Sequence, residues 1–254
     1  MKTSNLCAPD SVRVWRGYQL PTLSLDNFCS KLGTVFVPAT VKMQIDIGLQ
    51  AYVPSIPAGS AGKPAGVPDE TAVLFWESPE VYWNGFTTLA VRTYTLTHGG
   101  CYITENNKSR ADFPLLFNGT LTADHPVFLV NEPADWMKGA VRHIVGSRPA
   151  AQTPEAFREA AAAALTKVQT AGGLDAALAC AGDDYLVYWE LGSAAPGGPN
   201  PRSGIPLVQP VLEWSRVFGP APTYVPVGLW DEWAGMDVVS GSSFNMQFER
   251  RPRP

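Results

Sequence analysis

The feature that most constrains the fold of this chain is a repeat within it. Residues 12–17 read Val-Arg-Val-Trp-Arg-Gly and residues 141–146 read Val-Arg-His-Ile-Val-Gly, so the two runs lie 129 residues apart. Residues 24–28 and 153–157 match at the same separation, and each run places a hydroxyl residue two positions before an acidic one. The first pair is typical of strands and the second of helix N-termini. Each half of the chain is therefore predicted to begin with a strand and a helix.

A third match extends the repeat. Residues 73–77 read Val-Leu-Phe-Trp-Glu, and residues 186–190 read Leu-Val-Tyr-Trp-Glu. This pair is separated by fewer residues than the first two pairs. A Pro/Gly-rich insert at 54–68, predicted as a surface loop of the first half, accounts for the difference.

Each half is then predicted to continue with a second helix and a closing strand. In the first half, Ser78-Pro79-Glu80 begins a helix that we expect to run to residue 97, and residues 101–104 form the strand. In the second half, residues 204–218 and 223–230 have the same predicted roles. The order strand, helix, strand, strand, helix, strand, found twice, is typical of two ferredoxin-like units in an α+β fold.

A ferredoxin-like unit leaves one face of its sheet without helices, and two such units can cover these faces by packing them together. The chain resembles the dimeric α+β barrel superfamily in its fused, tandem form. The resemblance rests on the paired strand and helix openings and on Phe75-Trp76-Glu77 and Tyr188-Trp189-Glu190. It implies an intramolecular pseudo-dimeric barrel and a monomeric chain. The predicted limits are 11–105 for repeat 1, 106–139 for a connector and 140–250 for repeat 2.

Charge and cysteine content bound the partners and the compartment. A net charge of -4 and a pI near 5.4 provide no basic face, so we expect no nucleic-acid partner and no anionic membrane surface. The sequence contains no export signal and no apolar run of the ~18 residues that a membrane helix needs. The four cysteines are far apart without a Cys-x-x-Cys pair, which favours reduced thiols in a cytoplasmic protein and no metal site.

The candidate catalytic residues are His98, His143, Arg92 and Tyr94. His98 ends the second predicted helix one turn after Tyr94, and Arg92 lies in the same helix without a counterpart in the second half. His143 stands where the first repeat has a valine, which puts a titratable group on a strand position. The third histidine, His125, lies in a predicted turn and is interpreted as structural.

Arginines and aromatic residues at repeated positions have two possible roles. Arg13 and Arg142 could bind an anionic ligand group, but we expect each to pair with a strand glutamate, Glu77 or Glu190. Several aromatic residues could fill the space between sheet and helices or line an apolar pocket. The predicted substrate-binding set is Trp15, Trp76, Trp83, Phe86 and Glu77.

No nucleotide-binding, serine hydrolase or zinc hydrolase motif is found in the sequence. The superfamily that the chain resembles includes cofactor-free oxygenases, cyclases, isomerases, haem enzymes and proteins without known catalysis. The leading hypothesis is an enzyme that cyclises, isomerises or oxygenates an apolar polyketide-, terpenoid- or aromatic-like metabolite without a cofactor. The alternatives are a haem enzyme with His98 or His143 as axial ligand, and a non-catalytic ligand-binding or scaffold protein. The ligand cavity is predicted between the sheet and second helix of residues 11–105, with a rival location beside His143.

Overall fold

The computed structural model of the chain describes residues 6–44, 47–56, 66–136, 140–192, 209–212 and 244–245. These residues form a mixed α+β fold with two β-sheets, and the chain divides into two compact units, one around each sheet. No helix in these ranges combines the length and the hydrophobicity that a membrane span requires.

The first unit contains four strands from the first half of the chain and one short strand from its end. The strands are β1 (Val12–Gly17), β2 (Leu49–Ile56), β3 (Glu70–Trp76), β4 (Arg110–Asp112) and β11 (Phe244–Asn245). Between β1 and β2 lie α1 (Leu25–Lys31), a π-helical turn (Leu32–Phe36) and α2 (Val37–Gln44). Between β3 and β4 lie α3 (Pro79–Gly85) and α4 (Leu89–Thr97). The strand order in the sheet is β11-β2-β3-β1-β4.

The second unit contains six strands and one long helix. The strands are β5 (Leu115–Leu116), β6 (Val127–Phe128), β7 (Ala140–Ser147), β8 (Ala176–Ala181), β9 (Tyr185–Gly192) and β10 (Gln209–Leu212). The helix, α5 (Pro154–Ala171), begins after Thr153, whose hydroxyl accepts a hydrogen bond of 3.2 Å from the N–H of Ala156. It ends at Gly172, which has a positive φ of 68°. The strand order is β10-β7-β9-β8-β6-β5.

Four strands of each sheet follow the same order. The first sheet contains the run β2-β3-β1-β4, and the second contains the run β8-β9-β7-β10. In chain order, β7, β8, β9 and β10 of the second sheet correspond to β1, β2, β3 and β4 of the first. The central pairs β1–β3 and β7–β9 are both antiparallel. Each sheet also has a further strand at the corresponding edge, β11 beside β2 and β6 beside β8.

The central strands of the first sheet are buried on both faces. Val14 and Val73 are register partners on one face, and both are almost inaccessible to solvent. Trp15 and Leu74 lie on the other face, the face that lines the cavity described below, and both are also buried. From Ala72 to Trp76, β3 is accordingly apolar at every position, and not at every second position as in a sheet with one solvated face.

The second helix predicted for the first half is two helices. Two threonine side chains interrupt it: Thr87 Oγ1 donates to the carbonyl of Asn84 at 2.7 Å, and Thr88 Oγ1 donates to the carbonyl of Gly85 at 2.8 Å. These side chains occupy carbonyls that a continuous helix would bond to backbone N–H groups. Thr88 also caps the first turn of α4 with its hydroxyl oxygen. The prediction of one helix to residue 97 was wrong for this reason.

The closing strand of the first half was predicted too early in the chain. Residues 101–104 do not form a strand; their one ladder contact is an isolated bridge between Tyr102 and Gln19. The N–H groups of Cys101 and Tyr102 both bond to the carbonyl of His98, which keeps this segment in a tight turn. The strand at the edge of the sheet is β4, within the segment predicted as a connector.

Two further predictions on the strands need correction. The loop predicted at 54–68 begins later, because β2 continues through Pro54, the register partner of Ala72. In the second half, residues 209–212 of the predicted helix over 204–218 form β10, which pairs with β7. The rest of that helix and the strand predicted at 223–230 lie outside the described residues.

The third sequence match, between residues 73–77 and 186–190, differs by three residues from the correspondence that the strand pairing shows. Arg13 lies opposite Leu74 in the first sheet, whereas Arg142 lies opposite Glu190 in the second. Leu74, not Glu77, therefore holds the place of Glu190. The two Trp-Glu dipeptides are alike in composition, but a shift of three residues places them on opposite faces of their sheets.

Candidate functional site

A cavity of about 410 Å³ lies within the first unit. The sheet contributes Arg13, Trp15 and Tyr52 to its wall, and the helices contribute Phe36, Thr40 and Tyr94. His98 and the segment that follows it complete the wall. The volume falls in the range of pockets that hold small organic ligands, and aromatic side chains share the wall with polar ones such as Gln44 and Asn107.

Strand register places the three sheet residues on one face. Arg13 and Tyr52 are both register partners of Leu74, on the two sides of β3, and Trp15 lies two residues after Arg13 on β1. Since side chains alternate between the faces of a strand, all of these residues point to the same face. The cavity is therefore a direct consequence of the alternation in β1, β2 and β3.

His98 is a neutral side chain at pH 7. Burial lowers its pKa to about 4, against the opposing effect of backbone hydrogen bonds, because the protonated ring is poorly solvated there. The ring packs against Phe36, with centroids 4.8 Å apart, and against Tyr94 at 5.0 Å and Trp15 at 5.3 Å. The Nδ1 atom lies 3.0 Å from the carbonyl of Thr95. A carbonyl only accepts, so Nδ1 carries the proton and Nε2 carries the lone pair.

The low pKa of His98 predicts a pH effect on stability. In the unfolded chain a histidine has a pKa near 6.5. Between about pH 4 and pH 6.5, the unfolded state binds a proton at this residue that the folded state does not bind. The free energy of unfolding therefore increases with pH across this window and is lost as the pH falls. In urea titrations at pH 7 and pH 4.5, wild type should lose more stability than His98→Phe; equal losses would contradict the assignment.

The Tyr94 hydroxyl donates its proton within the protein. Thr40 Oγ1 donates its proton to the carbonyl of Phe36 at 2.8 Å, so in the short hydrogen bond between Thr40 and Tyr94 the phenol is the donor. Burial raises the pKa of Tyr94 well above its usual value of about 10. The side chain is therefore neutral, with its proton held by Thr40, and its phenol is unsuited to act as a base near pH 7.

Arg13 brings a positive charge to the cavity wall. Its guanidinium carbon lies 3.9 Å from the centroid of the Tyr82 ring, a cation–π arrangement. Its Nη2 donates to the carbonyl of Ala111 in β4 at 2.7 Å. These two contacts fix the plane and the position of the guanidinium.

A buried carboxylate lies behind this wall, and the sequence analysis did not single it out. Glu70 is inaccessible to solvent and accepts hydrogen bonds from Trp15 Nε1 at 2.8 Å, from Tyr52 Oη at 2.8 Å and from Tyr102 Oη. Burial raises the pKa of Glu70, while the three hydrogen bonds act in the opposite direction. The carboxylate thus orients two of the aromatic residues that line the cavity.

Gly17 makes room for this cluster. It is the register partner of Glu70, and a Cβ atom built on it would lie 2.6 Å from Tyr102 Cε1 and 2.7 Å from Trp15 Nε1. Any side chain there would push both rings away from the carboxylate. The sequence signal that could have indicated this site is Glu70 itself, an acidic residue at the start of an apolar strand.

The other predicted site residues do not all reach the cavity. Phe86 lines it, as Trp15 does. Arg92 lies on the exposed side of α4, where its Nε donates to the carbonyl of Phe86 at 3.3 Å. Trp83 is 58% exposed, and Glu77 is also exposed. Trp76 is buried against the Tyr82 ring at 4.8 Å and is absent from the cavity wall.

The rival site in the second half is described only by its backbone. His143 lies in β7 opposite Trp189. Its side chain and that of Arg142 lie outside the described residues, so the predictions for both remain predictions.

Few groups on the cavity wall could bind a metal or a cofactor. The described part of the chain contains no group of three or more His, Cys, Asp or Glu side chains placed to hold a metal ion. If the protein binds haem, His98 would hold the iron through Nε2, because Nδ1 donates to a backbone carbonyl. Haem binding remains a prediction.

Comparisons with known proteins give no family for this chain. No protein-family model matches it, and no curated protein does. Among solved structures, the chain is similar to a proposed monooxygenase from Lactobacillus acidophilus, with 10% identity and a TM-score of 0.31 over 72% of this chain and 76% of the other. A TM-score this low supports no functional conclusion.

Proposed function

We propose that the chain is a small-molecule enzyme that binds an apolar, polyketide-, terpenoid- or aromatic-like metabolite in the cavity of the first unit and removes a proton from it. The observation that supports this most is the neutral His98 on the wall of an aromatic cavity. A neutral imidazole with Nδ1 protonated accepts a proton at Nε2.

The low pKa of His98 suits an acidic substrate. A base with a pKa of about 4 is weak, so its substrate must be a carbon or oxygen acid whose anion is stabilised, such as an enolisable ketone beside an aromatic ring. Negative charge that develops on the substrate next to the ring raises the pKa of His98 during transfer. The resulting anion can regain the proton at another atom, attack a carbonyl of its own, or react with dioxygen. These outcomes are isomerisation, cyclisation and oxygenation.

The experiment uses 2-tetralone, whose C1 hydrogens lie between an aromatic ring and a carbonyl. We expect the protein to accelerate exchange of these hydrogens in D₂O, followed by NMR, and His98→Ala to reduce the acceleration by about 10²–10⁴-fold. The matched control is His125→Ala, because His125 is an exposed turn histidine whose Nδ1 also lies near a backbone carbonyl, that of Ala123, at 2.8 Å. This control should keep the wild-type rate.

Three outcomes would contradict the proposal or redirect it. Equal rates in wild type and His98→Ala would remove His98 as the base, and loss of exchange in His143→Ala alone would move the site to the second half. An oxygen electrode on the same samples separates oxygenation from proton transfer. A Soret band in the isolated protein, or after haem is added, that is absent in His98→Ala would support the haem alternative.

We also propose that the two units are tandem ferredoxin-like repeats that pack sheet against sheet as an intramolecular pseudo-dimeric barrel. The shared strand order and the matching edge strands support this arrangement. An experimental structure in which the helix-free faces do not meet would contradict it.

A further inference from the structure

Gln44 brings an amide to the inner wall of the cavity. It is the last residue of α2, and Phe36, Thr40 and Gln44 follow one another at intervals of four residues. This spacing places the three side chains on one face of the helical segment, and all three residues line the cavity. Gln44 is 6% exposed, whereas Leu96 and Asn107 on the same wall are exposed and mark the mouth. The Gln44 amide therefore lies in the interior.

The oxygen of this amide is buried without a donor. Gln44 Oε1 has no hydrogen-bond partner in the part of the chain that the structure describes. Thr40, one turn earlier, shows the usual arrangement: its hydroxyl donates to the carbonyl of Phe36 at 2.8 Å and accepts from Tyr94. A buried acceptor without a donor is unfavourable, and folded proteins contain few of them. Among the described side chains of the wall, Gln44 has the one buried acceptor in this state.

Other amides and hydroxyls of the wall do not select a ligand in the same way. Asn107 and Thr104 are exposed, so they bond to solvent in the free protein and gain little when a ligand replaces it. The Ser109 hydroxyl already accepts from the N–H of Tyr18 at 2.9 Å. Selection for a donor on the ligand requires an acceptor that gains a partner only when the ligand binds. Gln44 Oε1 meets this requirement.

We propose that the ligand of this cavity is an aromatic lactam, whose N–H and carbonyl pair with the Gln44 amide while its rings pack against Trp15 and Phe36. A lactam carries one donor beside one acceptor, as a primary amide does, so the two groups pair with either orientation of the Gln44 amide. The inference rests on the proposed function in that it concerns the same cavity. It narrows the aromatic-like substrate to a frame with this polar edge.

The test compares 2-quinolone with coumarin by isothermal titration calorimetry at pH 7. The two molecules are uncharged and nearly identical in shape, and both have the carbonyl; only the N–H of the first is a ring oxygen in the second. We expect wild type to bind 2-quinolone at least about 10-fold more tightly than coumarin, because only 2-quinolone gives Gln44 Oε1 a donor.

Gln44→Met keeps the length of the side chain and removes the amide. It should abolish the preference for 2-quinolone while coumarin binding changes little. It should not lower the stability of the free protein in urea, since Oε1 makes no hydrogen bond there. The matched control is Gln19→Met. Gln19 belongs to the same unit and lies outside the cavity wall, and its Nε2 already donates to the carbonyl of Leu23 at 2.6 Å, so this variant should keep the preference.

Each result decides one way. Equal affinity for both ligands in wild type overturns the inference, as when ordered water alone satisfies Gln44, and so does a preference that survives Gln44→Met. Absence of binding by either ligand overturns both this inference and the cavity of the proposed function. A preference for 2-quinolone without catalysed exchange of 2-tetralone supports the inference and counts against the enzyme, and exchange without the preference does the reverse.

A crystal structure of wild type with 2-quinolone decides if Gln44→Met does not fold, as circular dichroism would show. The ring nitrogen within hydrogen-bond distance of Gln44 Oε1 supports the inference. A nitrogen that bonds elsewhere overturns it.

Discussion

Replacing Glu70 with alanine is expected to lower the free energy of unfolding by about 3–5 kcal/mol. The carboxylate is the acceptor for Trp15, Tyr52 and Tyr102, and its removal leaves three buried donors without it. Each buried donor that loses its acceptor costs about 1–3 kcal/mol. The variant no longer buries a carboxylate, and burial of that group is unfavourable, since it raises the pKa of Glu70. This gain offsets part of the cost of the three donors. The loss of three acceptor contacts is the larger effect.

Urea unfolding followed by circular dichroism measures this change, with Glu77→Ala as the control. Glu77 follows the same strand but is exposed, so its replacement should change stability by less than about 0.5 kcal/mol. A loss below about 1 kcal/mol for Glu70→Ala would show that the three donors find other acceptors.

The pH dependence provides a second measurement on Glu70. Its raised folded pKa means that the folded state holds the proton at a pH where the unfolded chain has released it. This contribution to stability is present below the unfolded pKa and is lost as the pH rises through the folded pKa. Glu70→Ala should lack it. The sign is opposite to that of His98, whose contribution is lost as the pH falls.

Phe157→Ala is expected to destabilise the second unit by about 3–5 kcal/mol. Phe157 lies in the first turn of α5, is 1% exposed, and belongs to a core that includes Leu165 of the same helix and Tyr188 of β9. Several of its neighbours in this core are alanines, which have no flexible atoms with which to fill a space left by the ring. A cavity should therefore remain.

Thermal unfolding by calorimetry checks this prediction, with Leu115→Ala as the control. Leu115 in β5 is also apolar and lies in the same unit, but it is 68% exposed. We expect its replacement to change stability by less than about 0.5 kcal/mol. Similar losses for the two variants would mean that Phe157 is not part of a close-packed core.

Local signals in the sequence predicted the openings of the two halves well. Thr153 before Pro154 and Glu155 is a helix start that needs no tertiary information, and α5 begins there. Ser24 likewise precedes α1, and its hydroxyl accepts a hydrogen bond from the N–H of Asn27. The helical spacing of Tyr94 and His98 also placed both on one stripe, and both line the cavity.

Features that depend on pairing between distant residues were not predictable in the same way. Glu70 is bound by Trp15, Tyr52 and Tyr102, and only the folded sheet brings these four residues together. The offset of the Trp-Glu dipeptides is similar, because composition shows that two strands are alike but not which residues face each other. Arg92 was predicted from its lack of a counterpart, which says nothing about the face of α4 on which it lies.

The edge strands have a consequence for how this chain can be divided. After β4 the polypeptide leaves the first sheet and supplies β5 and β6 to the second, and after β10 it returns to supply β11 beside β2. The second sheet is therefore encoded by one continuous stretch, from β5 to β10, whereas the first sheet is not. A gene fragment that ends between β4 and β5 would produce a first sheet without β11, with the outer hydrogen-bonding groups of β2 open to another chain.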